Sequence, residues 1–368
     1  MKKIKIGILG LGAISGIYLK NLTNMFREVE IWGVYDIITE KMDTVKEEYK
    51  IEHSYSSMDE LLADPEIDIV LNLTRPFEHY ETTKAALLAG KHVYSEKPLA
   101  ATFEEGKELV ALAQEKNLML GGAPDTFMGA GIQTCRKLID DGFIGRPIGA
   151  AARMICHGHE SWHPSPAFYY QHGGGPMMDM GPYYVTALIN LLGGVEELSG
   201  MTTKSFETRT ITSEPLYGQV VDVEVPTHIN GMLRFASGAV GTITTTFDVY
   251  YDSSATLEVY GTKGTLRVPD PNGFGGPIYL LRPEDGSFKE IPIAFDYSEN
   301  SRGLGLADMA KALQTGRPAR ADYTQTLHVL EIMTAFEKSS LEGKNVKLET
   351  SYERKPAMVN DNIRGILD

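Results

Sequence analysis

Gly10-Leu11-Gly12-Ala13-Ile14-Ser15 places two glycines where a β-branched apolar run ends and a helical pattern begins. That spacing suits the pyrophosphate of a dinucleotide. Gly10 permits a tight turn, Gly12 lets the backbone come close, and the helix start through Ala13 and Ile14 offers free N–H groups and a positive dipole end. Ser15 replaces a third glycine and is still small. Asp36 ends the second apolar run; its carboxylate can accept hydrogen bonds from both ribose hydroxyls and would repel a 2′-phosphate. Ile37 and Ile38 follow with no cation to receive such a phosphate, so NAD is favoured over NADP. Asn72 and Thr74 end another run, where open parallel sheets bind their ligands, and His79 heads the next helix. Lys97, in Ser95-Glu96-Lys97-Pro98, again stands at a strand's carboxyl end and is expected to bring an ammonium to the nicotinamide side of the crevice. Glu96 belongs to the same cofactor-facing set.

A second group of candidates lies in Met154-Ile155-Cys156-His157-Gly158-His159-Glu160-Ser161-Trp162-His163-Pro164. The histidines His157, His159 and His163 raise the idea of a metal site. Hydride chemistry with NAD needs no metal, however, and imidazole and indole groups suit a polyhydroxylated ligand. The expected role is substrate binding by Trp162 and His163, assisted by His157 or His159, with no metal. Period-two geometry would put His157 and His159 on one face for as long as the strand persists. Asp125, just past the domain crossover, and His172, before a glycine run, are further candidates for contact with substrate. Tyr169 and Tyr170 read as core or interface.

The elements that must carry these groups follow from periodicity. Apolar runs at Ile4–Leu9, Val29–Tyr35, 67–73, 91–95 and 118–121 alternate with helical stretches at Thr39–Tyr49, 79–89 and 103–116. Such alternation predicts a parallel sheet with helices on both faces. A helix over 129–141 follows. Strand patterns then dominate from 148 to 293: 148–155, His228–Phe235, 239–247, 255–260 and 265–268, with turn signals at Ser237-Gly238 and Thr262-Lys263-Gly264. A helix at Gly181–Leu192 interrupts them, helices return at 303–314 and 323–340, and 269–276 reads as a loop. The expected division is a dinucleotide-binding domain over 1–124 and an α+β domain over 125–368.

Composition narrows the partners. The 368 residues carry a formal charge of −14, the wrong sign for a nucleic-acid surface. No apolar run is long enough for a membrane span. Two cysteines, in neither metal nor redox spacing, fit a cytoplasmic setting.

Several ordered segments together resemble the Gfo/Idh/MocA oxidoreductase family over essentially the whole chain. They are the glycine loop, Asn72/Thr74/His79, Ala89-Gly90-Lys91-His92-Val93, Glu96-Lys97-Pro98, and Gly173-Gly174-Gly175-Pro176-Met177-Met178-Asp179-Met180-Gly181. The resemblance implies a Rossmann domain followed by an α+β domain with a large, mainly antiparallel open sheet. It maps the catalytic lysine to Lys97 and the catalytic aspartate to Asp179. Many relatives carry histidine four residues after that aspartate; here Tyr183 stands there. A phenol titrates near 10 rather than near 6.5, but a neighbouring ammonium stabilises the tyrosinate, and some sugar oxidoreductases of the family also have tyrosine at this place. Either Tyr183 or Lys97 could exchange the proton, with Asp179 holding Lys97.

The implied reaction is hydride transfer between the nicotinamide and a secondary alcohol of a sugar, cyclitol or glycoside. Alternatives on the same framework are an NAD-dependent glycosidase working by transient oxidation, and a non-catalytic sugar or nucleotide sensor. A homodimer or homotetramer through the open sheet is expected.

Overall fold

The computed structural model describes residues 2–250, 257–359 and 364–368. The alternating segments near the N-terminus form strands β1 (Ile4–Leu9), β2 (Val29–Tyr35), β3 (His53–Ser54), β4 (Ile69–Asn72), β5 (His92–Ser95) and β6 (Leu120–Gly122). They make one sheet in the order β3-β2-β1-β4-β5-β6, with every neighbouring pair parallel. Strand order reverses beside β1, and that reversal opens a crevice at the carboxyl ends of β1 and β4. Helices Ser15–Asn24, Thr39–Tyr49, His79–Leu88 and Phe103–Glu115 make the connections. Because helices shield both faces, the central strands bury their apolar side chains: Ile6, Ile8, Leu71 and Val93 are fully buried. The last of these helices starts in a capping box, in which Thr102 Oγ1 accepts from Glu105 N and Glu105 Oε2 accepts from Thr102 N.

The compact unit around this sheet comprises residues 1–129, 295–327 and 358–368; a second unit comprises 130–294 and 328–357. This differs from the expected single cut between 124 and 125. Long-range backbone bonding explains the return of the chain. Gly122 N donates to Ala321 O at 3.1 Å, and Gly303 N and Gly305 N both donate to Asp125. The helix Leu304–Thr315 adds the buried side chains of Leu304, Leu306 and Met309. Its Asp308 is fully buried and paired with Arg317 and Arg320, each at 2.6 Å.

The second unit holds β7 (Pro147–Ile155), β8 (Val195–Thr203), β9 (Thr208–Thr210), β10 (Val220–Asp222), β11 (His228–Phe235), β12 (Val240–Thr246), β13 (Leu257–Gly261), β14 (Gly264–Val268), β15 (Ile278–Leu281), β16 (Lys289–Ile291) and β17 (Val346–Lys347). Nine of them form a sheet in the order β16-β15-β14-β13-β7-β12-β11-β8-β17, while β9 and β10 pair separately. Among the described residues of this sheet only the β7–β12 pairing is parallel. Of the strand expected over 255–260, residues 255 and 256 lie outside the described residues. Both anticipated hairpins form: Gly261 pairs with Gly264 around Thr262-Lys263, and Gly238 adopts φ +83° between β11 and β12.

Along β11 the buried Ile229, Gly231, Leu233 and Phe235 alternate with the exposed Asn230, Met232 and Arg234, so one face is packed and the other open. On the packed face the Phe336 ring from the helix Tyr323–Glu342 sits over Gly231 and its cross-strand partner Gly200. A Cβ at Gly231 would fall 2.1 Å from that ring, so only a bare backbone admits it. Among the described residues no helix is long and apolar enough to cross a membrane.

Candidate active site

In the first unit the glycine loop has the geometry its spacing predicts. Gly10 adopts φ +94°, and a Cβ there would lie 2.7 Å from Leu73 O, so β1 and β4 approach too closely for any side chain. A Cβ on Gly12 would meet nothing within 4 Å. That open space, beside the exposed Ala13 and half-buried Ile14, is the room a pyrophosphate needs at the start of the helix Ser15–Asn24. Ser15 serves in place of glycine because its hydroxyl turns back to donate to Gly12 O at 2.7 Å.

Asp36 Oδ2 accepts from Leu11 N at 2.6 Å and Oδ1 accepts from Ile38 N at 2.9 Å, which locks the carboxylate beside the loop. With Gly10, Gly12, Ile37 and Thr74 it lines a cavity of about 320 Å³. Lys41 and Arg75 line the same cavity, and Lys41 Nζ lies 3.9 Å from Asp36 Oδ2. Cations are therefore present at this end, contrary to the local reading of Ile37 and Ile38. Lys41 arrives one helical turn later and Arg75 from the loop after β4, so neither is adjacent to Asp36 in sequence.

Asn72 is fully buried and braces that loop. Its Oδ1 accepts from the Thr74 amide and hydroxyl at 3.1 and 2.7 Å, and its Nδ2 donates to Thr83 Oγ1 at 3.1 Å. His79, 1 % exposed, has Nδ1 2.7 Å from Pro98 O and Nε2 3.0 Å from Thr74 O. Burial holds its proton affinity below the ordinary value. Both ring nitrogens thus face backbone carbonyls, and the ring ties the Thr74 loop to the segment after β5. Glu96 is buried too. Its Oε1 accepts from Tyr18 OH at 2.7 Å and its Oε2 from Lys97 N at 3.0 Å, fixing the backbone from which the half-buried Lys97 projects. Asp125 is 1 % exposed, and its Oδ2 accepts from Gly303 N and Gly305 N at 2.9 and 3.0 Å. Burial pushes its carboxyl up to about 6. These bonds tie Asp125 to the returning chain of its own unit.

In the second unit Asp179 ends the short helix Pro176–Asp179, and Tyr183, 7 % exposed, sits in the first turn of Gly181–Leu192. Gly175 makes the entry turn at φ +88°. The histidine segment leaves β7 at Ile155, before the expected shared face can arise. His157 stacks on Tyr250 with ring centroids 3.6 Å apart. His159 turns to Asp179, its Nε2 3.4 Å from Oδ2. His163 Nδ1 accepts from Ser165 N at 3.0 Å, and burial lowers its proton affinity. Trp162 is 60 % exposed, and His172 is exposed as well. Tyr169 lies against the His159 ring, whereas Tyr170 is fully buried. Among the described residues no cluster of three or more His, Cys, Asp or Glu could hold a metal.

Sequence reading missed one feature here. Arg209, 5 % exposed, bonds Glu160 at 2.9 Å and also pairs with Asp248, while Tyr170 OH donates to Glu160. Arg209 and Glu160 lie on separate strands and loops, and no local pattern links them.

Comparison with known proteins agrees with both units. Residues 4–122 match the family model described as the oxidoreductase family with an NAD-binding Rossmann fold, and residues 132–267 match the GFO/IDH/MocA C-terminal domain. A scyllo-inositol 2-dehydrogenase (NADP(+)) of Bacillus subtilis is 34% identical over 366 residues, covering 94% of this chain and 96% of that protein. A myo-inositol 2-dehydrogenase of Thermotoga maritima is 25% identical over 94% of this chain and 99% of its own length. The fold matches levoglucosan dehydrogenase in complex with NADH at a TM-score of 0.82 and 20% identity, covering 95% of this chain and 100% of that one. The chain belongs to the GFO/IDH/MocA family of NAD-binding oxidoreductases.

Proposed function

We propose that this chain transfers a hydride between NAD and a secondary alcohol of a sugar or cyclitol, with Lys97, Asp179 and Tyr183 as its catalytic residues. The observation that carries this reading is the nucleotide cradle. Open space stands at Gly12, Asp36 is locked in the adjoining cavity, and Lys97 follows β5 at the carboxyl end of the same sheet. Those residues fit a dinucleotide, with Gly10, Gly12, Ala13 and Ile14 at the pyrophosphate and Asp36 at the ribose. Bound NAD supplies the hydride acceptor at its nicotinamide ring.

The chain's own residues handle the proton. In the oxidative direction the phenolate of Tyr183 or the neutral amine of Lys97 takes the hydroxyl proton, and the ammonium of Lys97 steadies the developing alkoxide. In this reading the carboxylate of Asp179 is the partner that favours the charged form of the lysine. Trp162 and His163 are the proposed sugar contacts, with the inositol and sugar dehydrogenases among the relatives supporting that substrate class. Both cysteines are thiols, which supports a reducing cytoplasm. The open sheet face exposes Met201, Met232 and Val240, which supports a homodimer or homotetramer through it.

The test is a panel of myo-inositol, scyllo-inositol, D-xylose and levoglucosan with NAD and NADP, followed by the absorbance of reduced nicotinamide. Lys97→Ala should lose turnover roughly a thousandfold while still binding NAD. Unchanged turnover in that variant refutes the lysine's role, and no oxidation across the panel refutes the substrate class.

A further inference from the structure

Tyr183, not an imidazole, stands one helical turn beyond Asp179. Asp179 nevertheless has an imidazole beside it, brought from elsewhere in the same unit. His159 Nε2 lies 3.4 Å from Asp179 Oδ2, and only 11 % of the His159 side chain is exposed. Trp162, Tyr169 and Phe247 enclose the ring, with centroids at 5.2, 4.2 and 4.6 Å. Nε2 is sealed from solvent and makes no hydrogen bond among the described residues; its 3.4 Å approach to Oδ2 is a close polar contact, not an aligned N–H···O bond.

The approach of this ring is built in. His159 O accepts from His163 N at 2.9 Å, curling the segment into a turn. Glu160 O accepts from Thr212 N and Ser213 N at 2.8 and 3.0 Å, while the Glu160 carboxylate is held by Arg209 and Tyr170. A buried charge pair thus anchors the residue next to His159, and an aromatic cage fixes its ring. Cys156, His163 and Tyr169 are among the ionisable groups close by.

We propose that His159 is a positioning residue of Asp179: its Nε2 edge, 3.4 Å from Oδ2, holds the carboxylate in one orientation by close polar contact. This rests on the reading of Asp179 as a catalytic group. A bare Nε2 would set a lone pair against a carboxylate in a site shielded from water, an arrangement that costs free energy. The proton is therefore expected on Nε2.

Two substitutions separate a polar role of the ring from packing. His159→Gln keeps an N–H donor at about the reach of Nε2; His159→Phe fills the cage and removes the donor. Measured on the panel substrate oxidised fastest, His159→Gln should keep kcat within about threefold, whereas His159→Phe should lose roughly tenfold to a hundredfold, as expected for a polar contact with a charged partner. KM for NAD should not move in either. The opposite order, with phenylalanine active and glutamine impaired, overturns the proposal and leaves His159 a packing residue. Proton–nitrogen correlation spectra of the histidine rings, with His159 assigned through His159→Gln, need no substrate: Nε2 should be protonated, and a bare Nε2 overturns the proposal. Lys97→Ala measured alongside keeps the questions apart, since normal turnover there removes the catalytic reading whatever His159 does.

Discussion

Asp125→Asn should stabilise the nucleotide-binding unit at neutral and alkaline pH. Burial raises the Asp125 carboxyl from the ordinary 3.8 to about 6. Between those two pH values the folded chain holds a proton that the unfolded chain has lost. The contribution of Asp125 to stability is therefore fully present below about pH 4 and is lost as pH rises through about 6. At ~1.4 kcal/mol per pKa unit, a shift of this size costs about 3 kcal/mol once the group is ionised. Asparagine keeps an oxygen for the N–H groups of Gly303 and Gly305 and carries no charge to desolvate. That shift already includes the bonds the carboxylate accepts, so the net gain at neutral pH is about 3 kcal/mol. Urea unfolding at a series of pH values measures it. Trp32 lies in this unit, with Nε1 bonded to Asp64 at 3.1 Å, and reports its unfolding. The difference between variant and wild type should grow from near zero at about pH 4 to its full value by about pH 7. A difference independent of pH refutes the reasoning. A collapse of turnover with NAD binding intact would instead return Asp125 to the substrate's side.

Three further outcomes follow from described geometry. Gly10→Ala forces a methyl group to 2.7 Å from Leu73 O at φ +94°; strain of about 1–3 kcal/mol should lower both NAD affinity by calorimetry and the melting temperature, and wild-type values of both would refute the tight-turn assignment. Asp36→Ser removes the charge that repels a 2′-phosphate while Lys41 and Arg75 still line the cavity. The kcat/KM preference for NAD over NADP should fall by roughly tenfold or more, and an unchanged ratio would show that selectivity lies elsewhere. Burial pushes the Cys156 thiol up to about 11 and the fully buried Cys135 higher still. A thiol reagent at neutral pH should therefore label the native protein slowly and the unfolded protein fast, and rapid native labelling would contradict the burial.

Much of the first unit was legible because its rules are local. Runs such as Ile4–Leu9 and Val29–Tyr35 end where apolar residues give way to glycine or a charge, and they fold as strands with those same bounds. The glycine loop, Asp36 and Lys97 sit at strand ends, where the topology requires ligand groups. Side chains that brace the site from inside were harder to read. Asn72 and His79 read as cofactor contacts from their loop positions, and both also bond protein groups: Asn72 bonds Thr74 and Thr83, and His79 bonds Thr74 O and Pro98 O. Nothing in sequence separates a side chain that reaches outward from one that stitches its own backbone. The Arg209–Glu160–Asp248 cluster and the His159–Asp179 approach depend on sheet register over tens of residues, beyond any periodic signal. The segments 295–327 and 358–368 rejoin the first compact unit, a return that a helix pattern does not record because it does not say which sheet the helix covers.

That return has a consequence for how the protein is made. Asp125 emerges from the ribosome long before Gly303 and Gly305, and Gly122 long before Ala321. A nascent chain that has just completed β6 therefore carries a sheet edge and a buried-type carboxylate with nothing yet to cover them. Synthesis runs at about 5–20 residues per second, so this exposed intermediate must persist for roughly ten seconds or more. Until then the crevice end of the sheet is a natural client for a chaperone, and truncating the coding sequence after β6 would leave an incomplete half rather than a free-standing nucleotide-binding module.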